Sequence, residues 1–126
     1  QLTAASDVYQ LLKSIWPEDT IDHRETFMVI YIARNNTVLG YQVVSTGGVS
    51  GTVVDTRFIL QVAIKTNASG FILAHNHPSG NCKPSEADLN LTKQIAEGAK
   101  MFNMLCLDHL IITEEGYYSF ADNGLV

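Results

Sequence analysis

The sequence is poor in cysteine, in positive charge and in long apolar runs, and each shortage excludes a class of protein. Two cysteines among 126 residues are too few for the disulfide framework of a small secreted domain, so we expect a reducing, cytoplasmic location. Lysine and arginine total 8 against 13 acidic residues, and they are scattered along the chain. A formal charge of −5 without a basic face gives no strong nucleic-acid signal. No apolar run approaches the length of a membrane span and no signal-peptide pattern opens the chain, so we expect no membrane partner.

The residues that are present have the composition of a globular domain. Hydrophobic residues make up 46% and charged residues 17%, which is typical of a chain with a packed core. The length suits one domain, so we expect a single unit over 1–126, with a helical lead-in over 1–20 and a core over 24–126. Because the chain begins at Gln1 and not at Met, we also expect it to be a piece of a longer protein.

Apolar periodicity predicts a hairpin followed by alternating helices and strands. The continuous β-rich run over 26–33 is typical of a central strand, and Asn35-Asn36 predicts a tight turn into a second strand over 38–45. Further strands are predicted over 71–74, 105–113 and 117–120, and a loop over 46–54. This order indicates an α/β domain with a mixed sheet and helices on its faces.

Three helices are predicted from apolar stripes. The first covers 3–16 and is capped by Thr3 or Ser6, the second runs from Asp55 or Thr56 to near residue 67, and the third covers 85–103. The stripes assign Ile64 of the second helix and Phe102 of the third to the core.

One stretch, residues 75–88, brings together residue types that can hold a metal ion. Side chains two apart on an extended chain point the same way, so His75 and His77 leave one face of their strand while Asn76 leaves the other. Prolines and glycines then turn the chain back, and Asp88 falls in the first turn of the helix that follows. Two imidazoles and a carboxylate, with a fourth position for water, are the ligand set of a catalytic zinc site.

Each part of this stretch also has an ordinary explanation. Ser85-x-x-Asp88 alone would be a helix-start capping box, and two histidines at strand spacing can arise by chance. The agreement of ligand types, spacing and local structure favours the metal site over the separate explanations.

The spacing H-x-H-x7-S-x2-D resembles the signature of the JAMM (JAB/MPN) metalloproteases. The strings H-N-H-P-S-G, D-H-L-I-I and G-Y-Y-S-F resemble the RadC branch of that superfamily, and the similarity runs from about Arg24 to the end. It implies a three-layer fold related to the cytidine deaminases, a Zn²⁺ held by His75, His77 and Asp88, and a protein or peptide substrate. The implied reaction is cleavage of a peptide or isopeptide bond by a metal-activated water.

The resemblance also implies a general base and a donor to the oxyanion. In JAMM enzymes the base is a glutamate just ahead of the first core strand, which here matches Glu25 within R-E-x-F. Asp55 is the reserve candidate, although a helix cap explains it adequately. The resemblance assigns the oxyanion hydrogen bond to Ser85, which can also cap its helix because a hydroxyl both donates and accepts.

Further polar residues near the stretch are candidates for the cleft or for orienting a ligand: Asn76, Ser79 and His109. Ser79 is favoured as a turn residue. Asp108-His109 suggests a carboxylate–imidazole pair in which His109 lines the site or orients a ligand, and a structural histidine is an equal alternative. Cys82 is a possible fourth ligand or redox-sensitive thiol, but an ordinary loop residue is favoured.

Two other functions compete with a zinc hydrolase. A nucleobase deaminase would pair H-x-E with P-C-x-x-C, whereas here the residue two after His75 is His77 and Cys82 has no partner three residues on. A catalytically silent interaction module with a role associated with DNA repair, as the historical name of the RadC family suggests, is the second. Silent relatives lose metal ligands, and this chain keeps all three. The oligomeric state and the substrate stay open.

Overall fold

The computed structural model describes residues 1–17, 20–47 and 54–126, and within them three helices and five strands alternate largely as predicted. They are α1 (Ala5–Ile15), β1 (Glu25–Ile32), β2 (Val38–Gly47), α2 (Thr56–Lys65), β3 (Gly70–Asn76), α3 (Glu86–Met101), β4 (Leu105–Ile112) and β5 (Tyr117–Ser119). The strands form one sheet in the order β2-β1-β3-β4-β5. Only β3 and β4 of these pair in parallel, so the predicted mixed α/β sheet is confirmed.

The opening hairpin turns where the asparagine pair predicts it. Asn36 has a φ of 65°, in the left-handed region that asparagine tolerates better than most residues. The backbone N–H of Ala33 donates to the carbonyl of Thr37 at 2.9 Å and closes the turn. β1 therefore enters the sheet next to β2 and pairs on its other side with β3.

Helices cover both faces of the sheet, which explains why β1 is apolar without alternation. One core cluster joins α1 to one face and is built mainly from Val8, Leu12, Met28, Ile30, Ile72 and Leu110. The other joins α2 and α3 to the opposite face and includes Phe27, Val29, Ile59, Leu73, Ile95 and Ala99. A strand that is buried on both faces needs apolar residues at every position, so the three-layer prediction is confirmed.

The helix ends differ from the predictions. α1 starts after Ala4, and the carboxylate of Asp7 accepts hydrogen bonds from the backbone N–H groups of Thr3 and Ala4, so neither Thr3 nor Ser6 supplies the cap. Ile64 and Phe102 are 51% and 54% exposed, so their assignment to the core was wrong. Ile64 lies one position beyond the buried face of its helix, and Phe102 is the residue at which α3 ends. In the loop predicted over 46–54, residues 46–47 belong to β2 and residues 48–53 lie outside the described residues.

The β3–α3–β4 unit sets the position of the functional stretch. β3 delivers residues 75–77 at its carboxyl end, and α3 returns the chain so that β4 pairs in parallel with β3. At the other end of β3, a Cβ on Gly70 would lie 2.7 Å from the carbonyl oxygen of Leu105, so the two strands approach closely there. In the described part of the chain, no helix is both long and apolar enough to cross a membrane.

Candidate metal centre

Three side chains converge where β3 ends and α3 begins. The Nε2 atoms of His75 and His77 lie 2.9 Å apart. Each also lies 3.2 Å from an oxygen of Asp88, His75 from Oδ1 and His77 from Oδ2. Among the residues that the structure describes, this is the group of histidines and acids whose ligand atoms all fall within 4.8 Å of one another. The group can therefore hold a metal ion.

Local structure explains why these three side chains meet. Alternation along β3 directs His75 and His77 to one face, as predicted. A turn follows in which Gly80, with a φ of 88°, donates its N–H to the carbonyl of His77 at 3.0 Å. Ser85 then caps α3: its Oγ accepts from the N–H of Asp88, and the carboxylate of Asp88 accepts from the N–H of Ser85. The capping box thus holds the carboxylate beside the imidazoles.

The hydrogen bond of His77 to the loop fixes which of its nitrogens faces the group. Its Nδ1 lies 2.8 Å from the carbonyl oxygen of Asn81, which can only accept, so Nδ1 carries the proton. In the neutral ring, Nε2 therefore presents a lone pair toward Asp88 and His75.

A buried chain of hydrogen bonds fixes the tautomer of His75 in the same sense. The hydroxyl of Thr92 donates to the backbone carbonyl of Asp88 at 2.8 Å, so its oxygen accepts from Nδ1 of His109 at 2.6 Å. Nε2 of His109 then accepts from Nδ1 of His75, at 2.8 Å. Neutral His75 is left with an unprotonated Nε2 that faces Asp88. Two imidazole lone pairs and a carboxylate, each held from behind, form a donor set that fits a zinc ion.

The electrostatics of the group favour a cation. Burial acts to raise the pKa of Asp88, but the hydrogen bonds that Nε2 of His75 and of His77 would donate with their rings protonated outweigh it and hold the pKa well below its usual range. The same hydrogen bond to Asp88 raises the pKa of His77. Burial lowers the pKa of His109 well below 6.5, which keeps that ring neutral. The Asp88 carboxylate is thus ionised, and either ring protons or one cation can balance its charge.

Glu25 lies beside this group because of the β1–β3 register. Phe27 pairs with His75, and their rings stack with centroids 5.8 Å apart. The backbone pairing ends at this pair, and by strand alternation Glu25, two residues before Phe27, leaves β1 on the same face as Phe27. Burial raises the pKa of Glu25, and the charges of His75 and His77 act to lower it. The structure therefore places Glu25 within electrostatic reach of both histidines.

The reserve candidates have structural roles. Asp55 caps α2, where its exposed carboxylate accepts from the N–H of Arg57 at 2.9 Å, a bond that lowers its pKa. Ser79 accepts weakly from the N–H of Asn81 within the turn. Cys82 is partly buried and does not belong to the ligand group found among the described residues.

The predicted Asp108–His109 side-chain pair is not formed, because neighbouring residues of β4 face opposite sides of the sheet. The ring of His109 contacts His75, whereas the carboxylate of Asp108 accepts from the hydroxyl of Ser119 at 2.6 Å and the N–H of Ala121 at 2.9 Å. The contact of Thr92 with His109 was not predicted from the sequence. The sequence does show that Thr92 lies one helical turn after Asp88 and so on the same face of α3. A threonine at such a position usually only donates a hydrogen bond to a carbonyl of the preceding turn.

A mixed sheet with this histidine–histidine–aspartate group at the end of β3 defines a JAB/MPN-like domain. A family model described as a RadC-like JAB domain matches residues 2–125, and the chain belongs to that family. It is 39% identical over 125 residues to a UPF0758 protein of Flavobacterium johnsoniae, covering 99% of this chain and 53% of the relative. It is 37% identical over 103 residues to the UPF0758 protein YfjY of Escherichia coli, covering 82% and 64%. The chain thus spans about half the length of the first relative, and these names state no activity.

Proposed function

We propose that the domain is a zinc-dependent hydrolase that cleaves a peptide or isopeptide bond in a protein or peptide substrate. One observation carries the proposal. The ligand atoms of His75, His77 and Asp88 converge while hydrogen bonds hold the ring protons on the far side. Membership of the RadC-like JAB family supports it, because the stretch that carries the family resemblance is the one that forms this group.

Each residue then has a defined task. Bound zinc would lower the pKa of a water molecule and polarise the substrate carbonyl. Glu25 accepts the proton of the attacking water and returns it to the leaving amine. The hydroxyl of Ser85 accepts from the N–H of Asp88, so its own proton is free to donate to the oxyanion.

The experiment compares wild type, His75→Ala/His77→Ala and Glu25→Gln for zinc content and for cleavage of a peptide library. We expect the double variant to lose both zinc and cleavage, because two of three ligands are gone. Glu25→Gln should keep its zinc and lose at least about 10²-fold in turnover, the lower end of what a general base contributes.

Three outcomes contradict the proposal. Undiminished zinc binding by the double variant would place the metal elsewhere, and equal turnover by wild type and Glu25→Gln would remove Glu25 from the mechanism. Full zinc occupancy in a wild type that cleaves nothing would favour the alternative, a silent interaction module with a role associated with DNA repair.

A further inference from the structure

Asn76 lies between the two histidines in sequence, but its side chain points to the opposite face of β3. Its side chain is fully buried and bonds a single segment of the chain, residues 21–26. Its Nδ2 donates to the carbonyls of Ile21 at 2.7 Å and Arg24 at 2.8 Å, and its Oδ1 accepts from the N–H of Thr26 at 2.8 Å. Both amide protons and the amide oxygen are thereby used.

Two of these bonds grip the backbone on either side of Glu25. The carbonyl of Arg24 belongs to the peptide group before Glu25, and the N–H of Thr26 to the peptide group after it. The backbone pairing of β1 with β3 extends to Phe27 opposite His75, and the side chain of Asn76 continues it past that pair. Fixing both peptide groups fixes the direction in which the side chain of Glu25 leaves the backbone.

We propose that Asn76 is the positioning residue for Glu25, so that residues 75–77 set both the metal ligands and the direction of the base. This inference rests on the proposed role of Glu25. The amide of asparagine supplies the two donors and one acceptor that the three backbone groups require. Aspartate in its place would set a carboxylate against two carbonyl oxygens, and alanine would leave all three groups unpaired in a buried site.

The kinetic test is a double-mutant cycle between Asn76→Ala and Glu25→Gln. If Asn76 acts through Glu25, Asn76→Ala should lower kcat by about 10²-fold with zinc content kept, and should have no further effect in the Glu25→Gln background. A purely structural role would instead give effects that multiply. Asn35→Ala is the matched control. It removes side-chain bonds to Thr37 at the other end of β1, and kcat should stay within a few-fold.

A second measurement does not depend on turnover. With Co²⁺ in place of zinc, the paramagnetic shift of a ¹³C-labelled Glu25 side chain reports its position relative to the metal. We expect a large shift in wild type and Asn35→Ala, and a collapse by at least about half in Asn76→Ala as the side chain samples more directions. An unchanged shift in Asn76→Ala would overturn the inference. Where Asn76→Ala does not fold, Asn76→Asp, which loses both donors at nearly constant shape, is read in the same way.

The two proposals fail separately. A wild type that binds metal but cleaves nothing would contradict the proposed hydrolase. A reduced paramagnetic shift of Glu25 in the Asn76 variants would still establish that Asn76 positions Glu25. Active Asn76 variants with an unchanged paramagnetic shift of Glu25 would contradict the positioning role of Asn76 and leave the hydrolase proposal unaffected.

Discussion

Thr92 is linked to the proposed metal ligand His75 through the buried ring of His109. Its hydroxyl donates to the carbonyl of Asp88, so its oxygen is left to accept from Nδ1 of His109. This sets the donor and the acceptor in the next hydrogen bond, between His109 and His75. Outer-shell partners of this kind hold a metal-binding ring in one tautomer and one orientation. The influence of Thr92 should therefore appear in metal affinity.

Thr92→Val removes the hydroxyl at nearly constant shape, and we expect zinc affinity to fall by about 10- to 100-fold. Thr92→Ser restores a hydroxyl and should stay within a few-fold of wild type. Competition against a chromophoric chelator measures both. Thr66→Val is the control, because Thr66 donates to the carbonyl four residues earlier on α2 without a histidine partner. Wild-type affinity in Thr92→Val would show that the hydroxyl does not orient the ligand.

The residues of the site differ in how far the sequence could predict them. His75, His77 and Asp88 follow from local rules, namely the alternation of a strand and the first turn of a capped helix. The split between Asp108 and His109 follows from the same alternation of a strand, whereas the contact of Thr92 with His109 depends on which strand lies beside which helix. Lateral placement of that kind is decided by the packing of distant segments, so the spacing of Thr92 from Asp88 shows a shared helix face but not the histidine that Thr92 contacts.

Among the elements, β3 and β4 approach each other closely at Gly70. Gly70→Ala would bring a Cβ to 2.7 Å from the carbonyl oxygen of Leu105, and a backbone atom cannot move aside as the end of a side chain can. We expect the free energy of unfolding to fall by about 1–3 kcal/mol, the usual cost of overpacking. Gly40→Ala on β2 is the control, since a Cβ there meets nothing within 4 Å. Urea unfolding measures both, and equal midpoints for the two variants would contradict the steric argument.

The helices and strands themselves were largely predictable, because the spacing of apolar residues along the sequence distinguishes strands from helices. The misassigned positions lie at helix ends. Ile64 and Phe102 are apolar and fit the spacing of a buried stripe. Ile64, however, lies beside the buried face of α2, and Phe102 is the residue at which α3 ends. Where a helix stops relative to the sheet beneath it is a property of packing, and periodicity does not encode it.

At the scale of the whole molecule, zinc should couple stability to pH. The pKa of His77 is raised above 6.5 by its bond to Asp88, so in the zinc-free protein this bond contributes fully below 6.5. The contribution is lost as the pH rises through the raised pKa. Zinc requires the unprotonated ring, so stabilisation by zinc grows over the same range.

We therefore expect the difference in Tm between zinc-loaded and chelator-treated protein to widen from about pH 5.5 to about pH 8. Free zinc at roughly 1,000 times the dissociation constant stabilises by about 4 kcal/mol, or about 15 °C in a domain of this size. Thermal unfolding followed by circular dichroism measures it. His77→Ala should show almost no difference at either pH, and a gap that narrows with rising pH would contradict the proposed ligands.

The proposed metal ligands all come from residues 75–88, whereas the proposed base comes from β1, some fifty positions earlier. The two parts can thus be inherited and lost independently. Under the proposed function, a descendant that kept the β3–α3 segment and replaced Glu25 would still bind zinc and match the ligand signature in a sequence comparison, but it would cleave nothing. Metal content and motif matches therefore report on the β3–α3 segment only. Assigning activity across the relatives of this chain requires the residue at the position of Glu25, and the partner that holds it, to be inspected as well.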